Sequence, residues 1–75
     1  MNRVIKRKEV GYEAKDGDIE LVQMLADGAR PHLIASKLGK SRRTIESRID
    51  SLRGRVGSKT VPELIADFFR AGLLT

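Results

Sequence analysis

The chain contains no cysteine and no tryptophan, and a single histidine in 75 residues. Disulfides, thiolate metal sites and His-rich zinc sites are thereby excluded. His32 stands without a Ser, Cys or carboxylate constellation that would make it a general base, so no catalytic residues, cofactor or metal are expected. Aromatics are limited to Tyr12, Phe68 and Phe69, and aliphatic packing must hold the core. No apolar run approaches the about 20 residues of a membrane-spanning helix, and the start of the chain has no apolar signal segment. A soluble, cytoplasmic protein with no membrane partner is the expectation. The length suffices for one small domain.

What the chain does have is positive charge. The formal net charge is +5 and the pI about 10.1, which favours a polyanionic partner. The distribution is uneven. Between Lys40 and Lys59 stand seven basic residues (40, 42, 43, 48, 53, 55 and 59) against Glu46 and Asp50. That window alone carries the whole net charge.

Residues 1–17 are mixed in charge and poor in large apolar groups, with a basic run of Arg3, Lys6, Arg7 and Lys8. Val4, Ile5, Val10 and Tyr12 suit a short strand, but no partner strand is evident. A flexible N-terminal arm or linker is expected there, either as a solvated tail or as a DNA-contacting arm. Residues 18–75 form the expected domain. A first helix is predicted from about Asp18 to Asp27, favoured by Asp16 or Asp18 at its start, with Leu21, Val22 and Leu25 as its apolar stripe. A second should run from Pro31 to Leu38, since proline suits the first helical position. Gly39 ends it. A third is predicted from Arg42 to Val56, with Ile45, Ile49, Leu52 and Val56 stepping by four, three and four along one face. Gly57 stops it. Thr60 and Glu63 have the spacing of a capping box for a fourth helix from Val61 to about Ala71.

The stretch Ile34–Val56 carries the strongest local signal. Ala35 is small enough for a close helix crossing, Gly39 can take the positive φ of a tight turn, and Ile45 falls one turn into the next helix. Ser41 is a good N-cap for that helix. This is the spacing of a helix-turn-helix, with Arg42 and Arg43 opening the second helix.

These residues, taken together, resemble the LuxR-type (GerE/FixJ-like) helix-turn-helix domain of bacterial transcription regulators. The resemblance spans residues 18–74. It rests on Glu20–Gly28, on Ile34-Ala35 with Leu38, on Ser41-Arg-Arg-Thr44-Ile45-Glu46, on Arg55-Val-Gly57 and on Ala71–Leu74. It implies an all-α, four-helix fold with the third helix in the major groove of double-stranded DNA. It further implies a transcription regulator or its output domain, weak homodimerisation through the fourth helix, and a receiver domain or RNA polymerase as candidate protein partners. Where the family usually has a polar cap and Asn-Lys-Glu before the Ile-Ala pair, this chain has Arg30, Pro31, His32 and Leu33. A phosphate contact from the start of the second helix therefore falls to Arg30 or His32.

The candidate DNA-binding residues are then Arg30, His32, Lys40, Ser41, Arg42, Arg43, Thr44, Glu46, Ser47, Arg48, Asp50 and Lys59. Arg42 and Arg43 stand where the helix enters a groove, for phosphate or base-edge contact. Glu46, Ser47 and Asp50 resemble the base-reading positions of the family, and a carboxylate can accept from a cytosine amino group. Equally, Glu46 can pair with Arg42 one turn away. Lys40, Arg48, Arg53 and Lys59 suit phosphate better than bases. On the fourth helix, Leu64, Ile65, Phe68 and Phe69 exceed what one buried stripe requires, and Leu64 and Phe68 are the expected dimerisation residues. A protein-interaction module on the same scaffold is the alternative to a DNA reader.

Overall fold

A computed structural model describes residues 3–7 and 10–75, and the backbone alone of Lys6, Arg7 and Val10. Its order is β1 (Val4–Arg7), β2 (Val10–Glu13), α1 (Asp16–Ala26), α2 (Pro31–Leu38), α3 (Arg42–Val56) and α4 (Val61–Arg70). The four helices follow the periodicity closely. α1 begins two residues earlier than expected, at Asp16, and α4 ends one residue sooner, at Arg70. The cap of α1 also differs from expectation. Lys15 occupies the cap position, and Asp18 acts from inside the first turn, accepting from the Lys15 N–H at 3.3 Å.

Each end of α3 is set by local chemistry. The Ser41 hydroxyl accepts from the Thr44 N–H at 3.1 Å, which satisfies one of the free donors of the first turn. At the far end Gly57 adopts φ 88°, and both it and Ser58 donate to the Arg53 carbonyl. Gly39, with φ 64°, closes α2 in the same left-handed conformation, and Lys40 N–H donates to the Ala35 carbonyl at 2.9 Å. A β-branched side chain is strongly disfavoured at such a φ.

The core has two parts, and α3 runs through both. Ile45 and Ile49 pack with Leu21, Ile34 and Ala35 beneath the α2–α3 turn. Leu52 and Val56 pack with Val22, Leu64, Phe68 and Leu74 at the other end. α1 makes the same division, sending Leu21 one way and Val22 the other. The α3–α4 connection is fixed by polar contacts as well. Buried Ser58 donates to Asp67 at 2.7 Å, and Arg53 donates to the Lys59 carbonyl at 2.7 Å.

The N-terminal segment departs from expectation. Instead of an arm or linker, its described residues form an antiparallel hairpin, with Val4 opposite Glu13, Ile5 opposite Tyr12 and Arg7 opposite Val10. Lys8, part of the expected basic run, lies outside the described residues. The physical reason for the hairpin is the period-two pattern. Ile5 and Tyr12 face inward as a cross-strand pair, while Val4 and Glu13 stay exposed. Ile5 and Ala14 are 6% and 2% exposed and belong to the second part of the core. The fold is thus mostly helical with a small two-stranded sheet, rather than all-α.

Two substitutions test this. Gly39→Val should destabilise by more than about 1 kcal/mol through strain at positive φ, and an unchanged melting temperature would place the turn elsewhere. Ile5→Ala should cost about 2–3 kcal/mol as a buried-aliphatic truncation. A silent change in chemical denaturation would mean that the hairpin contributes nothing to the core.

Candidate nucleic-acid interface

Helical geometry divides α3 into faces. Ile45, Ile49, Leu52 and Val56 are buried. Opposite them, on the solvent pole, stand Arg43, Ser47 and Gly54, all exposed. Arg42, Glu46, Asp50 and Arg53 lie on the flank toward the starts of α2 and α4. Arg48, Ser51 and Arg55 lie on the flank toward α1. The exposed residues Lys40, Ser41, Arg42, Arg43, Thr44, Glu46, Ser47, Arg48 and Asp50 therefore lie on the α2–α3 turn and the N-terminal part of α3. Arg30 and His32 are exposed at the start of α2, and Lys59 is exposed just before α4.

Ion pairing separates the cations. Arg42 Nε lies 3.4 Å from Glu46 one turn on, and Arg53 pairs with Asp50 at 2.9 Å. Both pairs sit at the surface, where such contacts contribute only a few tenths of a kcal/mol. Among the described residues, Lys40, Arg43, Arg48 and Lys59 make no ion pair. Ser41 and Thr44 hydrogen-bond each other, the Ser41 hydroxyl donating to Thr44 Oγ1 at 2.9 Å. Beside them an open hollow of about 310 Å³ is lined by Ser41, Arg43, Thr44, Ser47 and Arg48.

Two further grooves border α3. On the α2–α4 side, about 440 Å³ is lined by Pro31, Glu46, Ile49, Asp50 and Val61. On the α1 side, about 390 Å³ is lined by residues that include Lys15, Gly17, Asp18, Arg48, Ser51 and Arg55. Lys15, Ser51 and Arg55 are not among the candidate DNA-binding residues, although Arg55 belongs to the basic window between Lys40 and Lys59. The i, i+3, i+7 spacing of 48, 51 and 55 is legible there, but only the fold brings Lys15 to them. Asp18 accepts from the Tyr12 hydroxyl and from the Lys15 N–H. Burial pushes the Tyr12 phenol above its ordinary range. The hydrogen bond to Asp18 and the Asp18 charge act in the same direction, and Arg55 acts in the opposite one.

The dimerisation residues are corrected by the structure. Leu64 and Phe68 are both 0% exposed and fill the core beside Leu52 and Val56. The strong amphipathicity of α4 turns that pair inward, and neither is available to another copy. Phe69, 63% exposed, is the large apolar residue that α4 leaves in solvent, next to half-buried Ile65. No helix among the described residues is long and apolar enough to cross a membrane.

Comparison with protein-family models, with curated proteins and with solved structures finds no significant match to this chain. The case for function rests on the residues and their arrangement.

The Tyr12 environment predicts an alkaline effect. Its folded-state pKa is raised, so the folded state holds the phenolic proton more tightly than the unfolded chain. That contribution is complete below the free phenol value of about 10 and is lost as pH climbs from there toward the raised value. The melting temperature of the wild type should fall more steeply above about pH 10 than that of Tyr12→Phe. Parallel curves would show the phenol to be uncoupled from folding.

Proposed function

We propose that the chain is a LuxR-type helix-turn-helix domain that binds duplex DNA. In this reading it serves as a sequence-specific transcription regulator or as its output domain, with α3 entering the major groove. The observation that carries the reading is the exposed pole and turn of α3. Arg43 and Lys40 project there, with Arg48 on the adjoining flank, all without ion-pair partners among the described residues, from a helix fixed underneath by Ile45 and Ile49. An α-helix about 10–12 Å across fills a major groove about 12 Å wide. Arg43 on the pole then reaches a phosphate or the O6/N7 edge of guanine. Ser47, one turn on, offers a hydroxyl that suits several bases. Gly54 lies further along the same pole with no side chain and nothing within 4 Å of where a Cβ would stand. The far end of α3 therefore presents little bulk to an approaching duplex.

Glu46 and Asp50 are held by Arg42 and Arg53. Those pairs offset the repulsion that two carboxylates would otherwise exert on a phosphate backbone. Reading a cytosine amino group through either carboxylate requires giving up only a weak surface pair.

Titration with duplex DNA across a range of salt concentrations tests the reading. Neutralisation of about four phosphates gives a log–log slope of about −3 to −4. Arg43→Ala should weaken binding and, if its contact is a phosphate, reduce the slope by about one. Binding that ignores salt, or an absence of binding at low salt, would falsify the proposal. A preference for particular genomic fragments over random duplex separates sequence-specific recognition from general adhesion.

A further inference from the structure

The two flanks of α3 differ in charge, and the difference bears on which side of the helix holds the DNA backbone. The groove on the α2–α4 side is lined by the carboxylates of Glu46 and Asp50, with Pro31, Ile49 and Val61 and no cation. Arg42 and Arg53 stand on that flank but are already paired with those carboxylates. The groove on the α1 side is lined by three cations, Lys15, Arg48 and Arg55, with the Ser51 hydroxyl between the two arginines along α3. Its one carboxylate, Asp18, already accepts two hydrogen bonds, from the Tyr12 hydroxyl and the Lys15 N–H.

We infer that the groove between α1 and α3, lined by Lys15, Arg48, Ser51 and Arg55, seats a backbone phosphate of duplex DNA. This deepens the DNA-binding reading and rests on it. A helix in the major groove has a strand's backbone on either side. The flank whose groove carries an excess of positive charge, three cations against the single carboxylate of Asp18, attracts a polyanion, and the flank whose two arginines are matched by two carboxylates does not. Arg48 and Arg55 stand two helical turns apart, and Lys15 comes from the connection before α1. The cations thus converge from two separate elements onto one groove instead of spreading along a single solvated face. Ser51 is small and exposed, which lets a phosphate approach between the arginines while offering a donor. The start of α2, with Arg30 and His32, lies toward the carboxylate flank, and the main phosphate grip passes to the opposite side of α3.

The test uses the whole chain and one duplex that the wild type binds, titrated at several salt concentrations. Lys15→Gln/Arg48→Gln should flatten the salt slope by about one and weaken binding by about tenfold or more at moderate salt. Ser51→Glu, a substitution at an exposed position, should weaken binding with no change in melting temperature. It also decides the matter should the double variant fail to fold. Arg70→Gln, on α4, removes one positive charge and should leave the slope unchanged. The inference is overturned if the groove variants keep the wild-type slope and affinity while Arg43→Ala still weakens binding; DNA recognition by the α3 pole would then stand without this groove. An equal flattening by Arg70→Gln would also overturn it, since net charge alone would then account for the effect. Absence of wild-type binding to any duplex would remove the DNA reading and this inference together.

Discussion

The structure depends on burying one stripe of α3. Ile45, Ile49, Leu52 and Val56 are at most 5% exposed, and they divide between two groups of buried residues, to both of which α1 also contributes. Each fully buried aliphatic side chain contributes about 1.5–3 kcal/mol. In so short a chain, without disulfides or bound metal in its sequence chemistry, that stripe anchors every other element. α2 covers its first half and α4 its second. α1 lies against both, and the hairpin closes the far end through Ile5. A polar substitution anywhere along the stripe would loosen two or more elements at once.

Fixing one face of α3 fixes what the others present. The Ser41 cap and the Gly39 turn set where the helix begins, and with it the rotation that sends Arg43 and Ser47 to the pole. The same rotation gives the two flanks their unequal charge. Glu46 and Asp50 fall together on one side at i, i+4, and Arg48 and Arg55 on the other at i, i+7. The positive charge of α3, five arginines against Glu46 and Asp50, is therefore not spread evenly around the helix. It is matched on one flank by the pairs Arg42–Glu46 and Arg53–Asp50 and stays in excess on the pole and on the opposite flank, where Asp18 offsets only part of it and attraction for a polyanion is stronger.

The hairpin has a double role in this arrangement. Ile5 and Ala14 seal the core end occupied by Leu52, Val56 and Phe68. Tyr12 then carries the contact outward by donating to Asp18, which in turn holds the Lys15 N–H at the start of α1. Arg3 pairs with Asp16 beside it. The position of Lys15 relative to Arg48 and Arg55 thus depends on the packing of a strand residue more than on α1 alone.

The helices, their stops and the α3 cap were determined by the sequence, because each depends on neighbours within a few positions: a 3.6-residue stripe, a glycine with positive φ, a serine three residues before the N–H it accepts. The exposed set on the first half of α3 was legible for the same reason, since burying Ile45 and Ile49 dictates what points away. The hairpin was not legible. Four-residue strands have no visible partner until the pairing register is known, and the signal of Ile5 and Tyr12 lies in a cross-strand contact. Nor could the sequence choose which half of the α4 apolar surface turns inward. Leu64 and Phe68 share a face, but only the volume left between α1 and α3 decides that they fill the core while Phe69 stays in solvent. The groove uniting Lys15 with Arg48 and Arg55 is likewise a tertiary product, because residues more than thirty positions apart meet only where two helices pack.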